Sequence, residues 1–389
     1  MKEVYVDNNA TTKVDEAVFE EMSPYFCNLY GNPSSMHFFG GQVQRKVDEA
    51  RNRVAALLGA SPDEIIFTSC GTESDNAAIR SALEVHPQRR HIITTRVEHP
   101  AVLTLCRNLS KRGYRVTELN VDAAGRLDMK ELEAAIDEDT AIVSVMYANN
   151  ETGVVFPVEE VGAIVKEKGA LFHTDAVQAV GKIPLNMASS TVDMLALSGH
   201  KLHAPKGCGA LYLRKGVPFR PFMIGGHQEK SRRAGTENTA SIIALGKACE
   251  LAQTYMVDEN TRVLAMRDRL ERELMDRIPR SRINGGGATR LPNTLSIAFE
   301  FVEGEAILLL LSEKGICASS GSACTSGSLE PSHVLRAMGV PFTCAHGSIR
   351  FSLSRFNTDQ EIDLIIREVP PIIQRLREMS PFGREFLST

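Results

Sequence analysis

From about residue 15 to 256, short β-branched apolar runs alternate with amphipathic stretches, the pattern of repeated βα units that build a mainly parallel sheet. The runs that read as strands are Glu64–Thr68, His91–Arg96, Tyr114–Val121, Ala141–Tyr147, Ala170–Asp175, Met194–Ser198 and Gly209–Leu213. Ahead of the first of these strands, Gln42–Leu58 carries Val43, Val47, Ala50, Val54 and Leu57/Leu58 at helical spacing, and Gly59 follows as a C-terminal stop. The stretch from Glu237 to about Ile278 reads as two helices crossing out of this unit. After about residue 279 the strands thin to Thr294–Phe299 and Ser348–Ser354 among helices, an α+β pattern, and the opening segment to about Thr12 is expected to join it. The predicted fold class is therefore α/β. A large domain (15–256) holds the sheet, and a smaller α+β domain is formed by 1–14 and 257–389.

At 389 residues the chain is long enough for two domains, and two domains imply a cleft. Hydrophobic residues at 43%, charged residues at 24% and a net charge of -4 describe an ordinary globular chain with no basic surplus to hold nucleic acid. The start lacks the apolar core of a secretory signal, and no apolar run approaches the roughly 20 residues a membrane span needs. A cytoplasmic location is expected, where the eight cysteines would be reduced and serve as core residues, metal ligands or reactive thiols.

The chemistry concentrates at strand ends. In Ser198-Gly199-His200-Lys201-Leu202-His203, a lysine follows a strand inside a Gly- and His-bearing turn, where an amine could form a Schiff base with a bound aldehyde; alone, it reads equally as a solvated loop lysine. Phe172-His173-Thr174-Asp175-Ala176-Val177-Gln178 puts an acid at the ligand-binding edge of an α/β sheet. An aspartate there suits the pyridine nitrogen of pyridoxal phosphate, which it would keep protonated as an electron sink, and Gln178 could donate to the phenolic oxygen. A helix cap is the alternative for Asp175. Phe67 to Asn76 reads strand, glycine turn at Gly71 and helix start, so free N–H groups and the Thr72 hydroxyl could hold a phosphate, while Thr72 with Asp75 also reads as a capping box. His99, after the next strand, could stack on a flat ring or simply turn the chain. Asn150 closes a buried strand and is placed to contact substrate or cofactor. Arg350, inside the alternating strand Ser348-Ile349-Arg350-Phe351-Ser352, could take a carboxylate in two-pronged fashion or pair with an internal acid.

Cys324 sits in Ala318-Ser319-Ser320-Gly321-Ser322-Ala323-Cys324-Thr325-Ser326-Gly327, a Ser- and Gly-dense stretch whose composition marks a mobile loop (about 318–331) and an exposed, reactive thiol. Cys70, Cys208, Cys249 and Cys317 lie in or beside apolar runs and look quieter. A metal-binding reading from Cys317, Cys324, Cys344, His333 and His346 lacks the close spacing of structural zinc motifs.

Taken in order, Val6-Asp7-Asn8-Asn9-Ala10-Thr11-Thr12, Gly31-Asn32-Pro33-Ser34-Ser35, Ala148-Asn149-Asn150-Glu151-Thr152-Gly153, Arg233-Ala234-Gly235-Thr236-Glu237-Asn238 and Ser319 to Pro331 resemble the NifS-type cysteine desulfurases over nearly the whole chain. The resemblance implies an aspartate-aminotransferase-like fold and pyridoxal 5'-phosphate as cofactor. Lys201 would carry the Schiff base, Asp175 meet the pyridine nitrogen, Gln178 the phenolic oxygen, and His99 stack on the ring. Gly71, Thr72, Ser198 and His200 would hold the phosphate, Asn150 and Arg350 the carboxylate of L-cysteine, and Cys324 would take the sulfur. The threonine matching Thr236 reaches the neighbouring subunit's phosphate, which implies a homodimer. The long Ser/Gly loop, Ser326 to His333 and Cys344-Ala345-His346-Gly347 are similar to the nitrogen-fixation branch, and the chain ends at Phe382 to Thr389 without the longer housekeeping tail. The expected activity converts L-cysteine to L-alanine with a persulfide on Cys324, supplying sulfur for iron-sulfur cluster assembly and nitrogenase maturation through a NifU-like scaffold protein. A selenocysteine lyase, another aminotransferase-like enzyme and a non-catalytic metal-binding protein are the rival readings.

Overall fold

The computed structural model describes residues 3–320 and 331–380. Across the large sheet the seven strands run Ile65–Thr68, Gly209–Leu213, Met194–Ser198, Leu171–Asp175, Thr140–Ser144, His91–Thr95 and Arg115–Leu119. Gly209–Leu213 is antiparallel to both of its neighbours and the other pairings are parallel, so the sheet is mainly parallel as the βα pattern predicted. Its inner strands are buried along their whole length, while the edge strand Arg115–Leu119 is half exposed, which is why the inner runs read as continuously apolar and the edge as mixed. The structure trims the expected strands by one or two residues at several ends. Past Ser144 the chain still bonds to its neighbour, Val145 N to His173 O and Tyr147 N to Asp175 O, before turning away.

The long helix is Phe38–Leu58, and its buried side is the predicted stripe of Val43, Val47, Ala50, Val54, Leu57 and Leu58. Gly59 ends it in the left-handed region (φ 61), where a side chain would also meet Asn186 at 2.7 Å. The stretch expected to hold two helices does so, Thr239–Asp258 and Leu264–Arg277, joined without a break by a π turn, Glu259–Val263. Asn260 accounts for the turn, because its side-chain amide donates to the carbonyls of Met256 (2.9 Å) and Lys182 (2.8 Å).

A second, four-stranded antiparallel sheet runs Ser319–Ser320, Ser348–Ser352, Thr294–Phe299 and Ser281–Ile283. Its own apolar cluster unites Leu295, Ile297, Phe299, Ile349 and Phe351 with Leu270 and Leu274 of Leu264–Arg277, and Ile362, Ile365 and Ile373 of Asp359–Met379. The N-terminal segment is bound to this unit: Val4–Tyr5 pairs with Ile316–Cys317, and Asp7 bridges to Ser352. Asn8, Asn9 and Ala10 then pass between the two sheets, and that passage builds one wall of the site.

Candidate active site

A cavity of about 460 Å³ opens at the C-terminal ends of the parallel strands, with the smaller unit closing its far side. The strand ends put Asp175, Ser198, His200 and Lys201 there, and the turns after other strands add Gly71, Thr72, His99 and Asn150. Gln178 comes from the turn beyond Asp175, and Arg350 reaches in from the second sheet. Ten of the residues singled out from the sequence therefore share one cavity. Thr236 does not line it and is exposed, and Cys324 lies outside the described residues.

Lys201 ends a single 3₁₀ turn, Gly199–Lys201, that follows Met194–Ser198 directly. Its Nζ donates to the carbonyls of Asn9 (2.6 Å) and Ala10 (2.5 Å), so the N-terminal passage holds the amine in place. Asp175 is buried and accepts from the Val177 amide (3.0 Å) as the acid of a turn, with no helix behind it to cap, and it stays in the cavity wall. Burial pushes its carboxyl up, and the nearby His99 and Lys201 pull it back. His99 caps the helix Pro100–Ser110, with Nδ1 accepting from Ala101 N (3.2 Å), and it lines the cavity. That bond puts the proton of the neutral ring on Nε2, and burial lowers the pKa of the imidazole. Burial and then Lys201 bring His200 down to about 4, so this ring too is neutral where it meets Thr11 Oγ1 (3.1 Å).

The capping box read at Thr72 and Asp75 is overturned. The helix Gly71–Val85 begins after Cys70 with no side-chain cap, and the acid that reaches back is Glu73, whose Oε2 accepts from Ser69 N (2.8 Å) while Arg233 pairs with its Oε1 (2.8 Å). Asp75 instead lines the cavity, fully buried, with Oδ1 standing 3.5 Å from His173 Nε2 and neither atom hydrogen-bonded. Burial and the neighbouring Asp175 raise its carboxyl well above the usual range. Cys70, expected to be quiet, also lines the cavity. Uncapped first-turn amides carry the positive end of a helix dipole and suit an anion, and at Gly71 an added Cβ would stand 2.7 Å from the Val177 side chain, so glycine lets this turn pack against Val177.

The internal pairing read for Arg350 is present. It is 3% exposed; Nη2 is bonded to Asp7 Oδ1 (2.7 Å) and Nη1 to the Asn150 carbonyl (3.0 Å), and among the described residues the buried Nε has no partner. The guanidinium also lines the cavity, where its charge suits a carboxylate ligand.

Other cavity residues carried no role in the sequence reading. Glu151, quoted in a motif but given no role, is buried, accepts from Ser332 Oγ, and is raised by burial to about 7. Ser332 in turn caps the short helix His333–Ala337, and His333 Nε2 meets the Glu98 carbonyl (3.0 Å). The only advance signal was a carboxylate after two asparagines at a strand end. Among the described residues no three His, Cys, Asp or Glu side chains gather as a metal site.

The donor set fits pyridoxal phosphate: an amine at Lys201 for the aldehyde, a carboxylate at Asp175 for the pyridine nitrogen, a flat imidazole at His99, and the uncapped helix start with Ser198 and His200 for the phosphate. The chain matches the family model "Aminotransferase class-V" over residues 4–365. It is 62% identical over 385 residues to "Cysteine desulfurase 2" of Trichormus variabilis, covering 99% of this chain and 96% of that one. To "Cysteine desulfurase NifS" of Azotobacter vinelandii it is 58% identical, covering 98% and 95%. A solved structure titled "NIFS-LIKE PROTEIN" superposes with a TM-score of 0.90 at 42% identity, over 96% of this chain and all of the other. By family model, sequence and fold together, the chain belongs to the aminotransferase class-V family and groups there with the NifS-like cysteine desulfurases.

Proposed function

We propose that this chain is a pyridoxal phosphate dependent cysteine desulfurase that converts L-cysteine to L-alanine and keeps the sulfur as a persulfide on Cys324. The observation that carries the reading is one cavity joining the Lys201 amine, the Asp175 carboxylate, an uncapped helix start and the buried Arg350 guanidinium. When bound, pyridoxal phosphate supplies a place for the electron pair released from the substrate's Cα–H bond. Lys201 would anchor the cofactor and would accept the substrate's Cα proton on Nζ. Asp175 would hold the pyridine nitrogen protonated, and His99 would lie against the ring. Arg350 and Asn150 hold the substrate carboxylate and so fix which bond at Cα is broken. The Cys324 thiolate attacks the substrate sulfur: an S–S bond forms, the Cβ–S bond breaks, and protonation at Cβ together with return of a proton to Cα completes alanine.

The exposed Thr236 and the exposed Phe222, Met223 and Ile224 near it support a homodimer in which Thr236 completes the partner's phosphate site. No helix among the described residues is long and apolar enough to cross a membrane. A cytoplasmic enzyme handing sulfur to a NifU-like scaffold, for iron-sulfur clusters and nitrogenase maturation, is the setting that suits relatives named for that role. Mass spectrometry after incubation with L-cysteine tests the core of the reading: the Cys324 peptide gains one sulfur atom, and its absence while alanine accumulates would overturn the persulfide.

Two substitutions separate the roles. Asp175→Ala is expected to slow alanine formation by about 100-fold or more, because the ring loses its protonated nitrogen, with little change in melting temperature. Unchanged turnover would remove Asp175 from the chemistry. Arg350→Lys keeps a charge near Asp7 but loses the fork, so KM for cysteine should rise by roughly tenfold, more than stability falls. A large drop in melting temperature at unchanged KM would make Arg350 only the partner of Asp7.

A further inference from the structure

Behind the cavity wall lies a lysine that the mechanism does not use. Lys182 is 6% exposed and its Nζ donates to Gln178 Oε1 at 2.8 Å. Gln178 Nε2 donates to the Asn9 carbonyl at 2.9 Å, the same oxygen that receives Lys201 Nζ at 2.6 Å. The π turn Glu259–Val263 backs this group: Asn260 holds the Lys182 carbonyl, and the buried Glu259 stands with Lys182 and Lys201 around a small void behind the cavity.

We infer that Lys182 is a positioning residue that sets the orientation of the Gln178 amide and thereby aims its second N–H into the cofactor site. The chemistry of the three groups leaves one arrangement. An ammonium has only donors, so the glutamine must turn its oxygen to Lys182. A carbonyl only accepts, so the glutamine must turn its nitrogen to Asn9, and that nitrogen keeps one hydrogen for a ligand. Gln178 lines the cavity with Asp175 and Lys201, where the remaining hydrogen meets the ring's phenolic oxygen under the function proposed above. Without Lys182 the Oε1 end is a buried acceptor with no donor, and the bond to the Asn9 carbonyl alone is left to orient the amide. Lys182 itself is a costly choice for such a place, since burial and Lys201 bring it down to about 7; a lysine kept there despite this is held by a polar task, with Glu259 as the balancing acid.

The test measures pyridoxal phosphate binding to Lys182→Met, Lys182→Gln, Gln178→Ala and the Lys182→Met/Gln178→Ala double variant, reading dissociation constant, absorbance of the bound cofactor and melting temperature of the cofactor-free protein. Expected are roughly tenfold weaker binding and a shifted band for Lys182→Met, a smaller change for Lys182→Gln, and no further loss when Lys182→Met is added to Gln178→Ala. Additive losses, an unshifted band, or failure of both Lys182 variants to fold makes the lysine purely structural and overturns the inference. If the wild-type protein takes up no pyridoxal phosphate at all, the proposed function falls first, which distinguishes the two failures.

Discussion

Lys201→Ala is expected to leave a folded protein that retains no pyridoxal phosphate after borohydride reduction and whose alanine formation falls by roughly 1,000-fold or more. Lys201 is the one lysine lining the cavity among the described residues. Its amine donates to two main-chain carbonyls and its charge also steadies the buried Asp175 carboxylate, so the melting temperature of the variant is measured alongside. The nearest substitute is Lys182, but its Nζ is bonded to Gln178 and it lies behind the wall, not in it. Peptide mapping after reduction decides the matter. Cofactor still trapped on the Lys201→Ala protein, at Lys182 or elsewhere, would remove Lys201 from the anchoring role.

For Cys324→Ala the expected result is a protein that binds pyridoxal phosphate normally, changes its absorbance on adding L-cysteine, and releases neither alanine nor sulfide. The described cavity is assembled from other segments, so cofactor and substrate binding should survive while the sulfur has no acceptor. Rival thiols can be weighed by position. Cys208, Cys249 and Cys106 are buried, and burial lifts Cys208 and Cys106 to about 12 and Cys249 well above the ordinary thiol range, so they stay protonated. Cys317 lies on the strand paired with Val4–Tyr5, and Cys344 is buried in the second unit; burial raises both. Cys70 is the serious competitor, because it lines the cavity. The Cys70→Ala variant should therefore be measured alongside: near wild-type alanine release from Cys70→Ala and none from Cys324→Ala assigns the sulfur to Cys324. The reverse pattern would sink that assignment and move the acceptor to the start of the helix Gly71–Val85.

Much of this site was legible from local sequence because strand ends and glycine turns are local events. Asp175 closes an apolar run, Lys201 follows another within three residues, and Gly71 opens a helix, so each could be placed on the binding edge of a sheet without knowing its neighbours. Where two local meanings competed, the structural one is visible and the residue still lines the cavity: His99 caps a helix, Asp175 closes a turn, and Arg350 pairs with Asp7. Asp75 and Cys70 were misread because a helix start looks the same in sequence whether its first turn meets solvent or a cavity. The two helices were legible but their π-turn junction was not, because it depends on Asn260 reaching the Lys182 carbonyl, 78 residues away in the chain.

The sequence by itself determined the alternation of strands and helices, the binding edge of the sheet and the residues with reactive side chains, since these follow from periodicity, turn chemistry and functional-group type within short windows. Only the tertiary structure decided what those groups are bonded to. The Asn9 carbonyl that gathers Lys201 and Gln178 is a main-chain atom that no side-chain pattern reveals, and it lies 192 residues from Lys201 and 169 from Gln178. Likewise, the protonation of Asp75, Glu151 and Lys182 is set by burial, and burial is a property of the packed chain, because the low dielectric that shifts a charge is made by segments brought together from both sheets.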